Sequence, residues 1–244
     1  MTTTHLLPPH AEEVINLLKE DLRLKKNYER IWRQKIIEEV AQARNLTVTS
    51  EEIQEEAEQQ RRKQRLEKAD DTLKWLADHR VTEDEWEAGI QKYLLSQKLA
   101  KALFDDQVEK HFAQNKMSFE RLLLYQIGVE DRKVAQELFY QIEEKEISFY
   151  EAAHLYDIDE NRRNRCGFEG KIYRKHLKPD IAAAVFGAPL KEVIGPLEIE
   201  KKHYLFFAEE FIPAELTSER YQEIIFKLFE EWLNGELNYR LNCT

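Results

Sequence analysis

Glycine and proline are unevenly distributed along this chain, and their positions limit its fold more than any other feature. Between Ala11 and Lys116 there is one glycine, Gly89, and no proline. Five of the seven glycines and four of the six prolines then fall between Gly128 and Pro213. Because both residues interrupt helices and mark turns, the pattern predicts a long helical section followed by a turn-rich module that contains strands.

Helix-start motifs support the helical section. Thr49 with Glu52 and Thr82 with Glu85 each form a capping box, which marks the first turn of a helix. After Pro213 the sequence becomes helical again, and this last helix carries a broad apolar stripe that needs a partner. We therefore expect an α+β chain with three parts: a helical domain at 1–117, a strand-containing domain at 118–213, and a C-terminal helix at 214–244. We expect that last helix to pack on the first helices, which makes the helical domain discontinuous.

The strand-containing module has its own order of elements. A short apolar run at 122–127 has the length of a buried strand, two helices follow, and a loop passes through Gly167 and Gly170. A helix at Pro179–Phe186 comes next, with proline at its favoured first turn, and strands are expected around Glu192–Ile199 and Tyr204–Phe211. This order predicts a small sheet that is at least partly antiparallel.

Charge and cysteine content exclude several classes of protein. A formal charge of −10 argues against nucleic-acid binding, since phosphates repel such a surface. The two cysteines, Cys166 and Cys243, form no CxxC motif and the histidines lack metal-ligand spacing, so we expect no cofactor, zinc site or disulfide framework. No apolar run could cross a bilayer, and Met1–Pro9 lacks the pattern of a secretory signal. The chain as it stands is expected to be cytoplasmic, or periplasmic if a leader was removed.

Several short motifs occur in a particular order within residues 119–213. They are Leu124–Val129, Ile147–Phe149 followed by Ala152–Ala153, Tyr156–Asp159, Cys166–Gly170, Ala182–Phe186 and Gly195–Leu197. Their order and spacing resemble the parvulin peptidyl-prolyl isomerases. The flanking helices, with Leu46–Ile53 as an inter-helix turn and Ser96–Leu99 in a long last helix, resemble the N-terminal domain of SurA-like and PrsA-like foldases.

The resemblance implies a catalyst of rotation about X–Pro bonds, whose barrier is about 18–20 kcal/mol. Such a catalyst needs an apolar pocket for the proline ring and polar groups that favour the twisted amide. Parvulins place an acid or cysteine opposite the amide and two histidines beneath it. The matching positions here are Asp159 for the acid and Gln126 and Tyr204 for the histidines, which makes these three the implied catalytic residues.

The resemblance also implies a substrate-binding set around the proline ring. Its members are Leu177, Ile181, Glu169, Phe168 and His203. Leu177 replaces a methionine, Ile181 replaces a phenylalanine, and Glu169 puts a charge where leucine is usual. His203 is one residue away from the histidine position at Tyr204, so alternation along a strand should turn it to the other face.

The substitutions bear on activity. Gln126 and Tyr204 can hydrogen-bond each other, but being neutral they cannot tune Asp159 as two imidazoles would. We therefore expect a foldase that acts on unfolded, proline-containing polypeptides with weak isomerase activity. A non-enzymatic holdase or secretion accessory remains the alternative, and from the sequence alone Asp159 could simply cap a turn. A domain-swapped homodimer is also plausible, because the long amphipathic first helices could exchange between chains.

Overall fold

The computed structural model describes residues 9–242, and these residues form two compact units. The helical unit contains the residues up to Val108 together with those from Tyr221 onward, and the α+β unit spans Glu109–Arg220. Residues 1–8 and Cys243 lie outside the described residues. The expectation about a secretory signal at Met1–Pro9 therefore concerns mostly residues that are not described. Within 9–242, no helix combines the length and the apolar character needed to cross a membrane.

The helical unit is built from six helices. They are α1 (Ala11–Glu20), α2 (Leu24–Ala43), α3 (Ser50–Lys63), α4 (Ala69–Asp78), α5 (Glu83–Phe104) and the greater part of α12 (Ser218–Asn242). Both predicted capping boxes form, with Thr49 accepting from the Glu52 amide and Thr82 from the Glu85 amide. Each satisfies N–H groups that the first turn of a helix leaves without a partner.

The C-terminal helix belongs to the same helical unit as α2. Arg33 on α2 contacts Glu230 on α12 at 2.8 Å, and Arg240 contacts Glu39 at 2.6 Å. Apolar side chains from both helices are buried in this unit; they include Ile36, Ile37, Ala41, Ile224, Ile225 and Phe229. The first and last parts of the chain therefore fold together, which makes the helical part discontinuous.

The α+β unit contains a four-stranded sheet in the order β2-β1-β4-β3 with every neighbouring pair antiparallel. The strands are β1 (Arg121–Val129), β2 (Phe168–Tyr173), β3 (Val193–Ile199) and β4 (Lys202–Ile212). The helices are α6 (Val108–Gln114), α7 (Lys116–Phe119), α8 (Arg132–Glu143), α9 (Phe149–Tyr156), α10 (Glu160–Asn164) and α11 (Pro179–Gly187). The predicted α+β class is confirmed. The prediction of a loop through Gly167 and Gly170 is wrong, because the segment after Gly167 forms the edge strand β2.

Helices cover the two faces of the sheet with separate apolar clusters. On the α11 face, Ile181 and Val185 of α11 pack against Leu122, Leu124 and Phe206 of the sheet. The α8/α9 face is closed by α8 and α9; its cluster contains Ile127, Val129, Ala135, Leu138, Phe149, Ala152, Ala153 and Leu205. Alternation along β1 and β4 sends neighbouring side chains to opposite clusters. The face to which a residue points therefore decides which site it can join.

Candidate functional site

A buried ion pair lies at the centre of the region that the parvulin motifs mark. Asp157, which follows α9, is 1% exposed, and its carboxylate accepts two hydrogen bonds from Arg162 of α10. Nε donates to Oδ2 at 2.6 Å and Nη2 donates to Oδ1 at 2.8 Å. The remaining terminal nitrogen, Nη1, donates to Glu169 at 3.2 Å. We call Asp157, Arg162 and Glu169 the carboxylate–arginine network.

The network keeps Arg162 charged although its side chain is only 12% exposed. Burial alone would lower the pKa of Arg162, because desolvation disfavours the charged form. The hydrogen bonds and negative charges of Asp157 and Glu169 outweigh that effect and raise the pKa. A fork-shaped guanidinium matches a carboxylate in this geometry, so the network fixes the direction in which Arg162 points.

A missing side chain on β1 makes room for this arginine. A Cβ atom at Gly128 would lie 2.8 Å from Cε1 of Tyr204 and 3.0 Å from Nη2 of Arg162. Gly128 pairs with Tyr204 across the β1–β4 ladder, and its carbonyl accepts the amide of Ile158 at 3.0 Å. The segment that carries Asp157 is thus tied to β1, and the guanidinium lies over the strand beside the tyrosine ring.

Asp159 caps α10 at the edge of the network. Its Oδ1 accepts the Arg162 amide at 2.9 Å, and its own amide donates to Asp157 at 2.9 Å. The pKa of Asp159 is lowered, chiefly by the backbone hydrogen bond from Arg162 and further by the charge of the same arginine. The side chain is exposed, so an ionised carboxylate is presented to solvent at neutral pH. The capping role and a functional role can coexist in this geometry.

Gln126 and Tyr204 both belong to strand positions that face α11, but they are not directly opposite each other. Gln126 pairs with Phe206 and Gly128 pairs with Tyr204. Within residues 9–242 no hydrogen bond joins the side chains of Gln126 and Tyr204, although their chemistry would permit one. The Tyr204 ring instead stacks on Phe206 with 6.4 Å between ring centres. The edge of this ring and Nη2 of Arg162 both border the space over Gly128.

The substrate-binding positions divide between the two faces. Leu177 and Ile181 lie in the α11-face cluster, where Ile181 is buried, Leu177 is half-buried and Tyr204 packs beside them. Glu169 joins the same face through Arg162. Phe168 lies elsewhere: its ring contacts Tyr125, whose side chain belongs to the α8/α9 face.

His203 also lies away from the α11 face. It pairs with Val129, which is part of the α8/α9-face cluster, and it alternates with Tyr204 along β4. Tyr204, Leu177 and Ile181 therefore share the α11-face cluster, and Gln126 occupies a β1 position on the same face. Asp159 and Glu169 are connected to Arg162, whose guanidinium lies over Gly128 on that face. Phe168 and His203 do not join them.

The α8/α9 face carries a groove of about 790 Å³ that sequence reasoning did not find. Its apolar lining comes from Ile142, Phe149, Tyr150, Leu190, Val193 and Phe207. The Tyr125 and Tyr150 rings meet edge to face next to it, 5.0 Å between centres. Burial raises the pKa of both tyrosines, and a hydrogen bond to Glu209 raises that of Tyr125 further.

Two residues of the network, Asp157 and Arg162, were also absent from the site inferred from sequence. Asp157 stands inside the Tyr156–Asp159 motif, but the parvulin pattern gives it no role. The sequence contained one clue, an acid and an arginine five positions apart, Asp157 and Arg162, together with a glycine, Gly128, in the predicted first strand. That clue is weak on its own, because it does not indicate which arginine of the run turns inward.

Comparisons with known proteins point in one direction. No protein-family model matches the chain. Over 182 residues it is 24% identical to the foldase protein PrsA of Caldanaerobacter subterraneus subsp. tengcongensis, a stretch that covers 72% of this chain and 53% of the relative. The chain is similar to a PrsA foldase. This confirms the resemblance to PrsA-like foldases that the motifs indicate, although the matched stretch spans only about half the length of the relative.

Solved structures with PrsA-like and SurA-like names are also similar to the chain. The peptidylprolyl isomerase PrsA of Bacillus anthracis aligns with a TM-score of 0.47 at 17% identity, covering 89% of this chain and 96% of that one. A SurA-like chaperone of Campylobacter jejuni aligns with a TM-score of 0.39 at 19% identity, covering 100% of this chain and 97% of that one.

Proposed function

We propose that this PrsA-like chain is a parvulin-type foldase, which binds proline-containing segments of unfolded polypeptide on the α11 face and accelerates X–Pro exchange weakly. The observation that carries the proposal is that Tyr204 and the apolar pair Leu177 and Ile181 share one cluster on the α11 face of the sheet. We place the exposed carboxylate of Asp159 beside this cluster. The backbone amide of Arg162 donates to this carboxylate, and its guanidinium and the Tyr204 ring both lie over Gly128. Similarity to a relative named as a foldase supports the same activity.

The geometry also gives reasons for a low rate. The carboxylate of Asp159 already accepts a backbone N–H, which stabilises its charge in the resting protein as much as during the reaction. Catalysis requires interactions that strengthen in the transition state. Arg162 is fixed by two carboxylates, so most of its donors are already satisfied. Binding of the proline segment is therefore expected to exceed catalysis in importance.

Exchange spectroscopy on a short Ala-Pro peptide tests the enzyme. The exchange rate should rise in proportion to the concentration of the protein and should return to its spontaneous value with Asp159→Asn. Asparagine is as good an N-cap as aspartate, so helix α10 should persist in the variant, which far-UV circular dichroism can verify. If the wild-type protein leaves the rate unchanged at every concentration, isomerase activity is refuted.

A non-enzymatic holdase is the second candidate, and the groove on the α8/α9 face favours it. Tyr150 lines this groove and is 37% exposed, so its ring is accessible to an unfolded client. A holdase should suppress the aggregation of an unfolded client equally well with Asp159→Asn, and less well with Tyr150→Lys. The opposite pattern, in which Asp159→Asn abolishes suppression and Tyr150→Lys has no effect, would exclude the groove.

A homodimer and the cellular location remain proposals. Helix α1 buries none of its residues, and its apolar side chains Val14, Ile15 and Leu17 are 44%, 43% and 56% exposed. A second copy of the chain could cover them by exchanging this helix. Sedimentation velocity over a range of concentrations tests this. For the location, the cytoplasmic and the periplasmic alternatives both stay proposals.

A further inference from the structure

A cluster of cationic side chains surrounds two aromatic rings where β1 begins and β2 ends. The guanidinium carbon of Arg121 and Nζ of Lys175 each lie 5.3 Å from the centre of the Tyr173 ring. Arg220 lies 5.3 Å from the same ring and 4.8 Å from the Phe119 ring, and it donates to the Tyr173 hydroxyl at 3.1 Å. We call these five residues the basic cluster.

The electrostatics of the basic cluster are unusual for this chain. An aromatic face attracts a cation, but two cations at one ring, Arg121 and Lys175, repel each other. Acidic residues outnumber basic ones by 47 to 37 in the sequence, yet neither Arg121 nor Lys175 forms an ion pair within residues 9–242. Nε of Arg121 is shielded from solvent and finds no hydrogen-bond acceptor in that range. An anion bound beside Arg121 and Lys175 would relieve the repulsion.

The basic cluster is continuous with the proposed proline-binding face. Arg174, the residue after Tyr173, pairs with Glu120 at 3.4 Å and lies 4.2 Å from the Phe186 ring. Phe186 packs into the same apolar cluster as Leu177 and Ile181. A polypeptide segment that placed a proline against that apolar pair would therefore pass close to the cationic side chains.

We propose that the basic cluster binds carboxylate side chains of the client, so that the protein prefers proline-containing segments flanked by Asp or Glu. The identity of the ligand as a polypeptide rests on the proposed function. Guanidinium groups bind carboxylates with paired hydrogen bonds. The net charge of −10 would by itself attract basic segments, so a preference for acidic ones requires a local site of opposite charge.

Fluorescence anisotropy with three labelled peptides tests the proposal. Each carries one central proline, flanked by glutamates, by glutamines or by lysines. At low salt the glutamate peptide should bind about tenfold more tightly than the glutamine peptide. This preference should fade toward ~0.5 M salt, because exposed charges are then screened. Equal affinities for the glutamate and glutamine peptides, or tighter binding of the lysine peptide, would overturn the inference.

Two double variants test whether the basic cluster causes the preference for the glutamate peptide. Arg121→Gln with Lys175→Gln should abolish the preference for glutamate. Lys133→Gln with Lys202→Gln makes the same change in net charge at exposed lysines of α8 and β4, and should leave the preference intact. Because Arg121 is half-buried, the exposed Lys175→Gln alone serves if the double variant unfolds, and it should reduce the preference in part. A preference that survives in the folded Arg121→Gln, Lys175→Gln protein would also overturn the inference.

The same titrations separate this inference from the proposed function. If the glutamine peptide binds and glutamate adds nothing, the basic cluster has no client role while proline binding stands. If the glutamate peptide binds equally well after its proline is replaced by alanine, the cluster binds carboxylates and the proline-specific function fails. Anionic phosphatidylglycerol vesicles provide a further arm: binding to them without binding to the glutamate peptide would overturn the assignment to a client.

Discussion

The two faces of the four-stranded sheet are closed in different ways. On the α8/α9 face, apolar and aromatic side chains form a continuous cluster from Ile127 to Leu205. On the α11 face, the apolar cluster stops beside Tyr204, and the space over Gly128 is filled by the guanidinium of Arg162. One sheet thus carries a face that is stabilised mainly by burial of apolar area and a face that also depends on a buried ion pair.

The difference indicates where function can be located. Apolar packing tolerates many substitutions of similar volume, whereas a buried charge requires its partner and tolerates almost none. The buried ion pair holds Arg162 in one direction over β1. The guanidinium of Arg162 lies on this α11 face, and the backbone amide of the same residue donates to the exposed carboxylate of Asp159. The following predictions test whether the two faces really differ in this way.

The largest effect is expected for Arg162→Ala. The substitution leaves the carboxylate of Asp157 buried without its partner, which should lower the free energy of unfolding by about 3–5 kcal/mol. Urea denaturation measures it. Arg165→Ala, at the exposed end of the same short helix, is the matched control and should cost no more than about 0.5 kcal/mol. Equal losses in the two variants would mean that the buried pair has no special importance.

An intermediate effect is expected for Gly128→Ala. The added methyl group would meet Tyr204 at 2.8 Å and Arg162 at 3.0 Å, and overpacking of this kind costs about 1–3 kcal/mol. Gly89→Ala is the control with the opposite sign: no atom lies within 4 Å of its added methyl group. Inside a helix this change should stabilise by up to ~1 kcal/mol. Thermal unfolding of the two variants side by side would show whether the space over Gly128 is truly filled.

Local sequence was sufficient to predict where two helices of the helical unit begin. The capping boxes at Thr49 and Thr82 act within three residues, so both helix starts could be predicted without knowledge of the fold. The edge strand β2 behaves differently. It has six residues, includes Gly170 at a positive φ of 88°, and none of its side chains is fully buried. Its strand conformation depends on pairing with β1, which local sequence does not encode.

The carboxylate–arginine network could not be predicted from the sequence for a similar reason. Residues 160–165 form a charge run, and such a run ordinarily lies on a solvated helix face. Arg162 is buried because Asp157 accepts its guanidinium and because Gly128, more than thirty positions earlier, leaves the space. The motifs could place Asp159, Leu177 and Ile181 on one face through the family resemblance. They could not show that the guanidinium of an arginine lies over Gly128 on that face.

The smallest effect concerns pH, and it separates the two faces by direction. The lowered pKa of Asp159, due mainly to the Arg162 amide, means that its ionised form stabilises the fold; this contribution is lost as pH falls through the folded-state pKa. Burial raises the pKa of Tyr125, so its neutral form stabilises the fold until pH rises past the ordinary tyrosine value of 10.0. The Tm of wild type should therefore exceed that of Asp159→Asn by less at pH ~3 than at pH ~7. The Tm of Tyr125→Phe should rise relative to that of wild type between pH ~7 and ~11. Tm differences that stay constant with pH in either variant would show that the corresponding face does not sense protonation.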